Sequence, residues 1–210
     1  MKKFSDRYEA GKVLADQLKT YTKNPYVIVL ALPRGGVPVA FEIATALSVP
    51  LDIFVVRKLG VPGHEELAMG AIATGGVTIF NNDIIKKLNI SNSEINNIIK
   101  LEQQELMRRE SVYRGKKPFP ELKDKIIILV DDGIATGATM RAAIRALRQQ
   151  HLRRLILAVP VAAFSTCAEM ENLVDEVVCP LRPHDFYAVG AWYDEFSQTT
   201  DEEVSQLLNQ

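Results

Sequence analysis

The segment 128–140 constrains the fold of this chain more than any other part of the sequence. It reads Ile-Leu-Val-Asp-Asp-Gly-Ile-Ala-Thr-Gly-Ala-Thr-Met, so an apolar run leads directly into two carboxylates and then into a loop of small and hydroxyl residues. Residues 141–150 have helical character. The order predicts a buried strand, an acidic pair at its end, and a loop that opens a helix. Backbone N–H groups in such a loop form an anion site.

The two halves of this segment suit different parts of one ligand. Asp131 and Asp132 would repel a phosphate, and they therefore suit hydroxyl groups or a hydrated cation. Close backbone approach and hydroxyl donors come from two glycines and two threonines, Gly133, Gly137, Thr136 and Thr139. A ligand with sugar hydroxyls on one side and a phosphate on the other, such as ribose 5-phosphate, fits both halves. No Gly-Lys-Ser/Thr is present, which excludes a Walker loop.

Residues 130–139 closely resemble the phosphoribosyl pyrophosphate (PRPP) motif of type I phosphoribosyltransferases, and the resemblance extends over roughly residues 32–194. In that family the two acidic residues bind the ribose hydroxyls, and the loop that follows wraps the 5′-phosphate. The PRPP-binding residues that the resemblance implies in this segment are Asp131, Asp132, Gly133, Ile134, Ala135, Thr136, Gly137, Ala138 and Thr139.

A second apolar run, residues 26–32, ends at Pro33-Arg34-Gly35-Gly36. Ligands of open parallel sheets bind beyond the carboxyl ends of the strands, so we expect this turn to lie beside the acidic loop. An arginine next to two glycines offers a charged fork and exposed N–H groups, which suit a diphosphate. Alone, an Arg-Gly-Gly sequence is more often a structural turn than a binding loop. In the resembling family this position holds the pyrophosphate loop, which adds Arg34, Gly35 and Gly36 to the PRPP-binding residues.

Residues 57–70 contain Pro62 and three glycines, and we predict a loop that is longer than a plain connection needs. In phosphoribosyltransferases a loop after the corresponding strand often folds over the substrate and excludes water. The resemblance therefore implies that Arg57 and Lys58 are catalytic residues that meet the departing pyrophosphate, and His64 is a further candidate. The alternative is that these residues are ordinary solvated charges beside a strand.

Residues 185–194 read Asp-Phe-Tyr-Ala-Val-Gly-Ala-Trp-Tyr-Asp. They resemble the segment of purine phosphoribosyltransferases in which an aromatic residue stacks on the base and a later Asp lies near magnesium. The implied acceptor-binding residues are Phe186, Val189 and Trp192, and the implied ligands of Mg²⁺ are Asp131, Asp132 and Asp194. The competing interpretation is an edge strand that packs its aromatic side chains into the core.

Ala135 departs from one branch of the family. It stands where the 6-oxopurine phosphoribosyltransferases have an Asp near the ring nitrogen of the base, which weakens a hypoxanthine or guanine assignment. The form Val-Asp-Asp-x-x-Ala-Thr-Gly is closer to adenine and several other phosphoribosyltransferases. The layout as a whole is most similar to bacterial phosphoribosyltransferases whose acceptor is not settled.

The alternation of strand and helix patterns predicts an α/β fold, with a mostly parallel sheet and helices on both faces. We expect one domain over residues 1–210, with a flexible loop near 57–70 and a small hood near 182–210. A hairpin is expected at 71–80, and Ser91 and Glu94 offer a capping box for a long helix to about Tyr113. The buried strands are expected at residues 26–32, 51–56, 126–130, 155–161 and 176–179.

Composition limits the compartments and the classes of partner that we expect for this chain. A formal net charge of −1 over 210 residues gives no general attraction to nucleic acid or to anionic membranes. Two cysteines, Cys167 and Cys179, lack the spacing of metal ligands and favour a reducing compartment. There is no signal-peptide pattern, and no apolar run approaches the roughly 18 residues of a membrane helix. We expect a cytoplasmic protein that has no membrane partner and does not bind nucleic acid.

The resemblance implies an enzyme of nucleotide metabolism that transfers a 5-phosphoribosyl group from PRPP to a nitrogen acceptor, foremost a nucleobase, with Mg²⁺ as cofactor. One alternative is a regulator of the same fold that senses PRPP or a nucleotide without turnover. Another is hydrolysis of the phosphoribosyl bond with water as the acceptor. The long helix that begins near residue 91 could also serve as the interface of a homo-oligomer. The sequence does not specify the acceptor.

Overall fold

The computed structural model describes residues 3–210, and every structural statement below concerns this part of the chain. The helices are α1 (Arg7–Gln17), α2 (Gly36–Leu47), α3 (Asn82–Lys87), α4 (Asn92–Arg114), α5 (Ala138–Arg148), α6 (Phe164–Met170) and α7 (Asp201–Leu208). The strands are β1 (Val27–Ala31), β2 (Leu51–Ile53), β3 (Val56–Val61), β4 (His64–Ala73), β5 (Val77–Phe80), β6 (Ile126–Val130), β7 (Arg154–Ala158) and β8 (Glu176–Val178). Short 3₁₀ turns occupy Lys19–Tyr21, Thr74–Gly76 and Val189–Trp192.

Five strands form a central sheet in the order β2-β1-β6-β7-β8, and all of its neighbouring pairs are parallel. The two central strands, β1 and β6, are buried at every position, as expected for a sheet covered on both faces. From β1 the chain runs to β2 on one side, whereas β6 to β8 lie on the other. The sheet therefore has its topological switch point between β1 and β6, where ligands of such sheets bind.

Alternate residues of β1 face two separate cores. Val27 and Val29 belong to a cluster that includes residues of α1, α2, α4 and α7. Ile28 and Leu30 belong to a second cluster, which includes residues of α5 and α6. The predicted α/β fold, with a mainly parallel sheet and helices on both faces, is confirmed.

The prediction of a loop at 57–70 is wrong. β3 and β4 form an antiparallel hairpin here, and β5 extends it into a three-stranded sheet, so the expected hairpin at 71–80 is its second half. Pro62 and Gly63, with φ of 74° at the glycine, make the turn between them. A Cβ on Gly60 would lie 2.8 Å from the carbonyl oxygen of Glu65. The glycines thus allow the two strands to approach closely. A glycine-rich composition is also typical of a loop, so composition alone does not distinguish the two structures.

The C-terminal segment also differs from its prediction. α7 contacts α2 and α4 and buries Val204 and Leu207 in the first core, so the predicted hood does not extend through this helix. The Val189–Trp192 segment is a 3₁₀ turn and not an edge strand. Among residues 3–210, no helix combines the length and the apolar character that crossing a membrane requires.

Candidate functional site

Two loops meet at the switch point of the sheet. Gly35 and Gly36 follow β1, and they pack directly against the acidic pair that follows β6. A Cβ on Gly36 would lie 2.8 Å from the carbonyl oxygen of Val130, and a Cβ on Gly35 would collide with the carboxylate of Asp132. These positions require glycine for that reason. The structure places the Arg-Gly-Gly turn beside the acidic loop, as the strand order predicts.

The side chain of Arg34 is directed toward α7. Its Nη1 lies 3.5 Å from Oδ1 of Asp201, and the hydroxyl of Tyr113 donates to the same oxygen at 2.8 Å. Arg34 is 37% exposed, and an ion pair this long and this open is weak, so the guanidinium remains available to an anion. Tyr113 and Asp201 were not among the predicted site residues, because neither lies in a motif.

The two carboxylates of the acidic pair share a poorly solvated environment. Burial raises the pKa of both carboxyls, and at Asp131 the neighbouring charge of Asp132 adds to the rise. The backbone N–H of Asp132 donates to Oδ1 of Asp131 at 2.9 Å and opposes the effect there. The two carboxylates are therefore better suited to binding hydroxyl donors or a cation than to being solvated by water.

Asp132 has a basic partner that sequence analysis missed. Nε of Arg7 donates to Oδ2 of Asp132 at 2.9 Å, and Nη1 of Arg7 donates to the carbonyl oxygen of Ser197 at 2.7 Å. The guanidinium lies 3.9 Å from the ring centroid of Phe196. Arg7 counteracts the burial effect on the pKa of Asp132 through its charge and its hydrogen bond. The two residues are 125 positions apart in the sequence, so no local pattern reveals the contact.

The loop after the acidic pair lines an open cavity of about 210 Å³. Its walls are Asp131, Gly133, Ile134, Ala135, Thr136, Gly137, Ala138, Thr139, Met140 and Val189. Thr136 and Thr139 are exposed, and the N-terminus of α5 lies within this loop. Gly137 caps α5 with φ of 75°, a conformation that favours glycine. Backbone donors and hydroxyls therefore converge on a space of anion size.

This loop is held in place by the segment after β7. The backbone N–H of Ile134 donates to the carbonyl oxygen of Val161 at 2.9 Å. Oγ1 of Thr166, in α6, donates to the carbonyl oxygen of Ala135 at 3.0 Å. Thr166 is almost fully buried, and its role as a support was also missed, because a single threonine inside a short helix carries no distinctive signal.

The three proposed acceptor-binding residues lie in different surroundings. Val189 packs against Gly133 and lines the cavity. Trp192 is only 8% exposed and belongs to an apolar cluster with Phe4 and Tyr193, where Phe186 also packs while partly buried. Trp192 thus packs as the competing interpretation describes, into the core, and it does not line the cavity beside Val189. Residue type alone does not show which way a ring points.

Tyr193 connects this cluster to the acidic pair. Its hydroxyl donates to the backbone carbonyl oxygen of Asp132 at 2.6 Å, and burial raises the pKa of the phenol. The bond fixes the backbone at the point where β6 gives way to the loop. Tyr193 was not among the predicted site residues, although it lies directly beside Trp192 in the sequence.

The predicted three-carboxylate metal site does not form. Asp194 is exposed, and within residues 3–210 no group of three or more His, Cys, Asp or Glu side chains is arranged to hold a metal ion. Asp194 therefore does not join Asp131 and Asp132. Mg²⁺ is commonly bound through one or two carboxylates together with substrate phosphates, and the two neighbouring carboxylates fit that pattern.

Arg57 and Lys58 lie in a second cavity, between the β3–β4 hairpin and α4. Arg57 donates to Oε2 of Glu102 at 2.7 Å, and Nζ of Lys58 lies 3.4 Å from Oε2 of Glu66. This cavity measures about 550 Å³, and its lining shares no residue with that of the cavity beside the loop after the acidic pair. His64 is exposed near the hairpin turn. The structure thus does not bring these side chains together with the acidic pair.

Comparison with known proteins supplies the family. The model of the phosphoribosyl transferase domain matches residues 6–195. Proteins of Mycobacterium tuberculosis strains CDC 1551 and H37Rv, provisionally named phosphoribosyl transferases, are 44% identical over the whole chain, which covers 47% of their length. The chain thus spans about half the length of these relatives.

The crystal structure of the protein TT1426 from Thermus thermophilus is also similar. It is 39% identical, the alignment covers 99% of this chain and 98% of that one, and the TM-score is 0.85. Because the domain model matches most of the length of this chain, the chain belongs to the phosphoribosyl transferase family.

Proposed function

We propose that this chain transfers a 5-phosphoribosyl group from PRPP to a nitrogen acceptor, foremost a nucleobase, and releases pyrophosphate. The observation that carries the proposal is the meeting of an acidic pair, an anion-sized loop and an Arg-Gly-Gly turn at one switch point. PRPP has hydroxyls, a phosphate and a diphosphate, and each of these three features suits one of those groups.

The 5′-phosphate binds in the loop at 133–139. Backbone N–H groups there and the N-terminus of α5 favour an anion, and the hydroxyls of Thr136 and Thr139 are exposed to donate to it. The supports from Val161 and Thr166 preorganise the loop, so little conformational freedom is lost on binding.

The ribose hydroxyls bind to Asp131 and Asp132. Hydrogen bonds to charged acceptors contribute about 1.5–3 kcal/mol each, which gives the pair a large share of the affinity. The same carboxylates are the candidate protein ligands for Mg²⁺. When bound, Mg²⁺ supplies positive charge that neutralises the pyrophosphate.

The diphosphate binds at Arg34, Gly35 and Gly36. Arg34 exchanges its long contact with Asp201 for the leaving group, because a diphosphate offers closer and more highly charged acceptors. In the reaction the bond between ribose C1′ and the pyrophosphate oxygen breaks, its electron pair leaves with pyrophosphate, and the acceptor nitrogen bonds to C1′. Positive charge develops on the ribose, so catalysis comes mainly from positioning and preorganised electrostatics.

The acceptor binds near Val189, which lines the cavity, with Phe186 as the candidate stacking ring. The hairpin at 57–70 closes over the bound substrates and brings Arg57 and Lys58 to the departing pyrophosphate. The hood of this proposal is residues 182–200, the part of the predicted segment 182–210 that precedes α7.

We also propose that the protein is cytoplasmic and forms a homo-oligomer. Two cysteines in 210 residues are too few for the disulfide framework of a secreted protein, which supports a reducing compartment such as the cytoplasm. The apolar side chains of Leu101, Met107 and Val112 are exposed on α4, and they support a homo-oligomer that uses this helix.

The test incubates the protein with PRPP, Mg²⁺ and a panel of nucleobases and small amines, and mass spectrometry detects pyrophosphate and the phosphoribosylated product. We expect one acceptor class to give both products, and the variant Asp131→Asn with Asp132→Asn to give neither. PRPP that binds but stays intact with every acceptor would support a sensing regulator instead. Pyrophosphate release without an acceptor would point to hydrolysis.

A further inference from the structure

Arg7 lies outside every motif of the sequence, yet it contacts the acidic pair directly. Its side chain is 11% exposed, and it bonds to Oδ2 of Asp132 and to the carbonyl oxygen of Ser197. Phe196 covers one face of the guanidinium. A largely buried arginine held from three sides differs from a fully exposed surface ion pair, which contributes little.

We propose that Arg7 is a positioning residue that fixes the carboxylate of Asp132 for the ribose hydroxyls. This proposal rests on the proposed function, because it assigns Arg7 to the ribose part of that site. Arg7 bonds to a single oxygen of Asp132, Oδ2, so the bond fixes the rotation of the carboxylate. The other oxygen, Oδ1, is then the candidate acceptor for a ligand hydroxyl.

The charge of Arg7 matters as well as its geometry. Asp131 and Asp132 are adjacent and poorly solvated, so their negative charges repel each other strongly. Nε of Arg7 lies 2.9 Å from Oδ2 of Asp132, and the positive charge of the guanidinium offsets this repulsion. Both carboxylates can then remain oriented toward one ligand.

The N-terminal segment holds Arg7 in place. The backbone N–H of Phe4 donates to the carbonyl oxygen of Trp192 at 3.0 Å, and the N–H of Asp194 donates to the carbonyl oxygen of Phe4 at 2.8 Å. Asp6 caps α1, so the helix begins at Arg7 itself. A lysine could not reproduce the contacts, because the planar guanidinium serves two separate acceptors at once while an ammonium is a point charge.

The test separates positioning of the acidic pair from general support of the site. Calorimetry measures the affinity for two ligands, ribose 5-phosphate and tetrahydrofurfuryl phosphate, which has the ring and the phosphate but no ring hydroxyls. We expect Arg7→Met to weaken ribose 5-phosphate about tenfold or more, the loss of one charge-assisted hydrogen bond. The affinity for tetrahydrofurfuryl phosphate should change by less than about twofold, since it never contacts Asp132.

Two further variants complete the experiment. Arg7→Lys should show a smaller but still selective loss, because it keeps the charge and loses one acceptor. Arg154→Met is the control: Arg154 pairs with Glu176 at 3.0 Å at the start of β7, at the end of the parallel strands opposite to the acidic pair. It should bind both ligands as the wild-type protein does.

Each outcome decides the question. Wild-type affinity of Arg7→Met for ribose 5-phosphate, or an equal loss for both ligands, would overturn the positioning role while the proposed function stands. Failure of the wild-type protein to bind either ligand would overturn both. Should Arg7→Met not fold, Arg7→Lys decides by the same criterion: a selective loss supports the proposal, and an equal loss or no loss overturns it.

Discussion

The loop at 131–139 and the β3–β4 hairpin leave the same edge of the parallel sheet, but they are held in different ways. The loop is anchored by buried partners, Val161 and Thr166, and its glycines touch neighbouring atoms. The hairpin buries Leu59, Val61, Met69 and Ile72 in the first core, whereas residues 63–67 at its tip are exposed. Exposed segments with few buried contacts open most easily. The loop is therefore suited to binding, and the tip of the hairpin is suited to movement.

The strongest test of this difference compares two glycines with nearly the same backbone. Gly137 has φ of 75° and a Cβ there would lie 2.8 Å from Cε of Met170, whereas Gly63 has φ of 74° and open space around it. We expect Gly137→Val to abolish PRPP binding in calorimetry, because the branched side chain blocks backbone approach. Gly63→Val places a valine at nearly the same positive φ and should bind PRPP. Equal losses in both variants would mean that strain alone is responsible.

Two acidic pairs provide the next comparison. Asp131→Asn with Asp132→Asn should weaken PRPP binding by about 1.5–3 kcal/mol for each lost hydrogen bond while the fold is retained. Glu65→Gln with Glu66→Gln, at the exposed hairpin tip, removes the same charge and should leave the affinity unchanged. Wild-type affinity in the double Asp variant would exclude the ribose assignment.

The hairpin itself is tested through Lys58. If the hairpin closes near the transition state, Lys58→Ala should lower turnover by on the order of 10²-fold and lower PRPP affinity far less. Hydrogen exchange across 57–70 should slow when PRPP and Mg²⁺ bind. Lys86→Ala, on the exposed surface of α3, is the control and should retain full turnover. Identical exchange with and without PRPP would leave Lys58 as a solvated charge.

The smallest expected effect concerns the ion pair between Arg57 and Glu102. Both side chains are about one quarter exposed, and a pair of this kind contributes up to about 1 kcal/mol. Glu102→Gln should speed hydrogen exchange in β3 without changing exchange in the loop at 131–139. Its PRPP affinity should stay within about twofold. Faster exchange in both regions would show that they open together.

The same physical difference decides what sequence analysis can predict. Residues 126–139 form a local pattern, in which strand, acidic pair and loop follow one another, and the structure has them in that order. Arg7, Thr166 and Tyr193 reach the site from distant segments, and no local pattern marks them. Gly60 and Gly70 are compatible with either a loop or closely paired strands. Only the atoms that surround them in the structure show which of the two is present.

The contacts of Arg7 have a consequence for the order in which the protein forms. They join residues up to 190 positions apart, so these contacts are complete only after Ser197 has been made. Contacts of such sequence separation form late, because closing the intervening loop costs entropy first. A growing polypeptide can assemble its central strands well before Ser197 leaves the ribosome. The proposed ribose site would then mature after the central strands, and a nascent chain would acquire the proposed affinity for PRPP only after Ser197 has emerged.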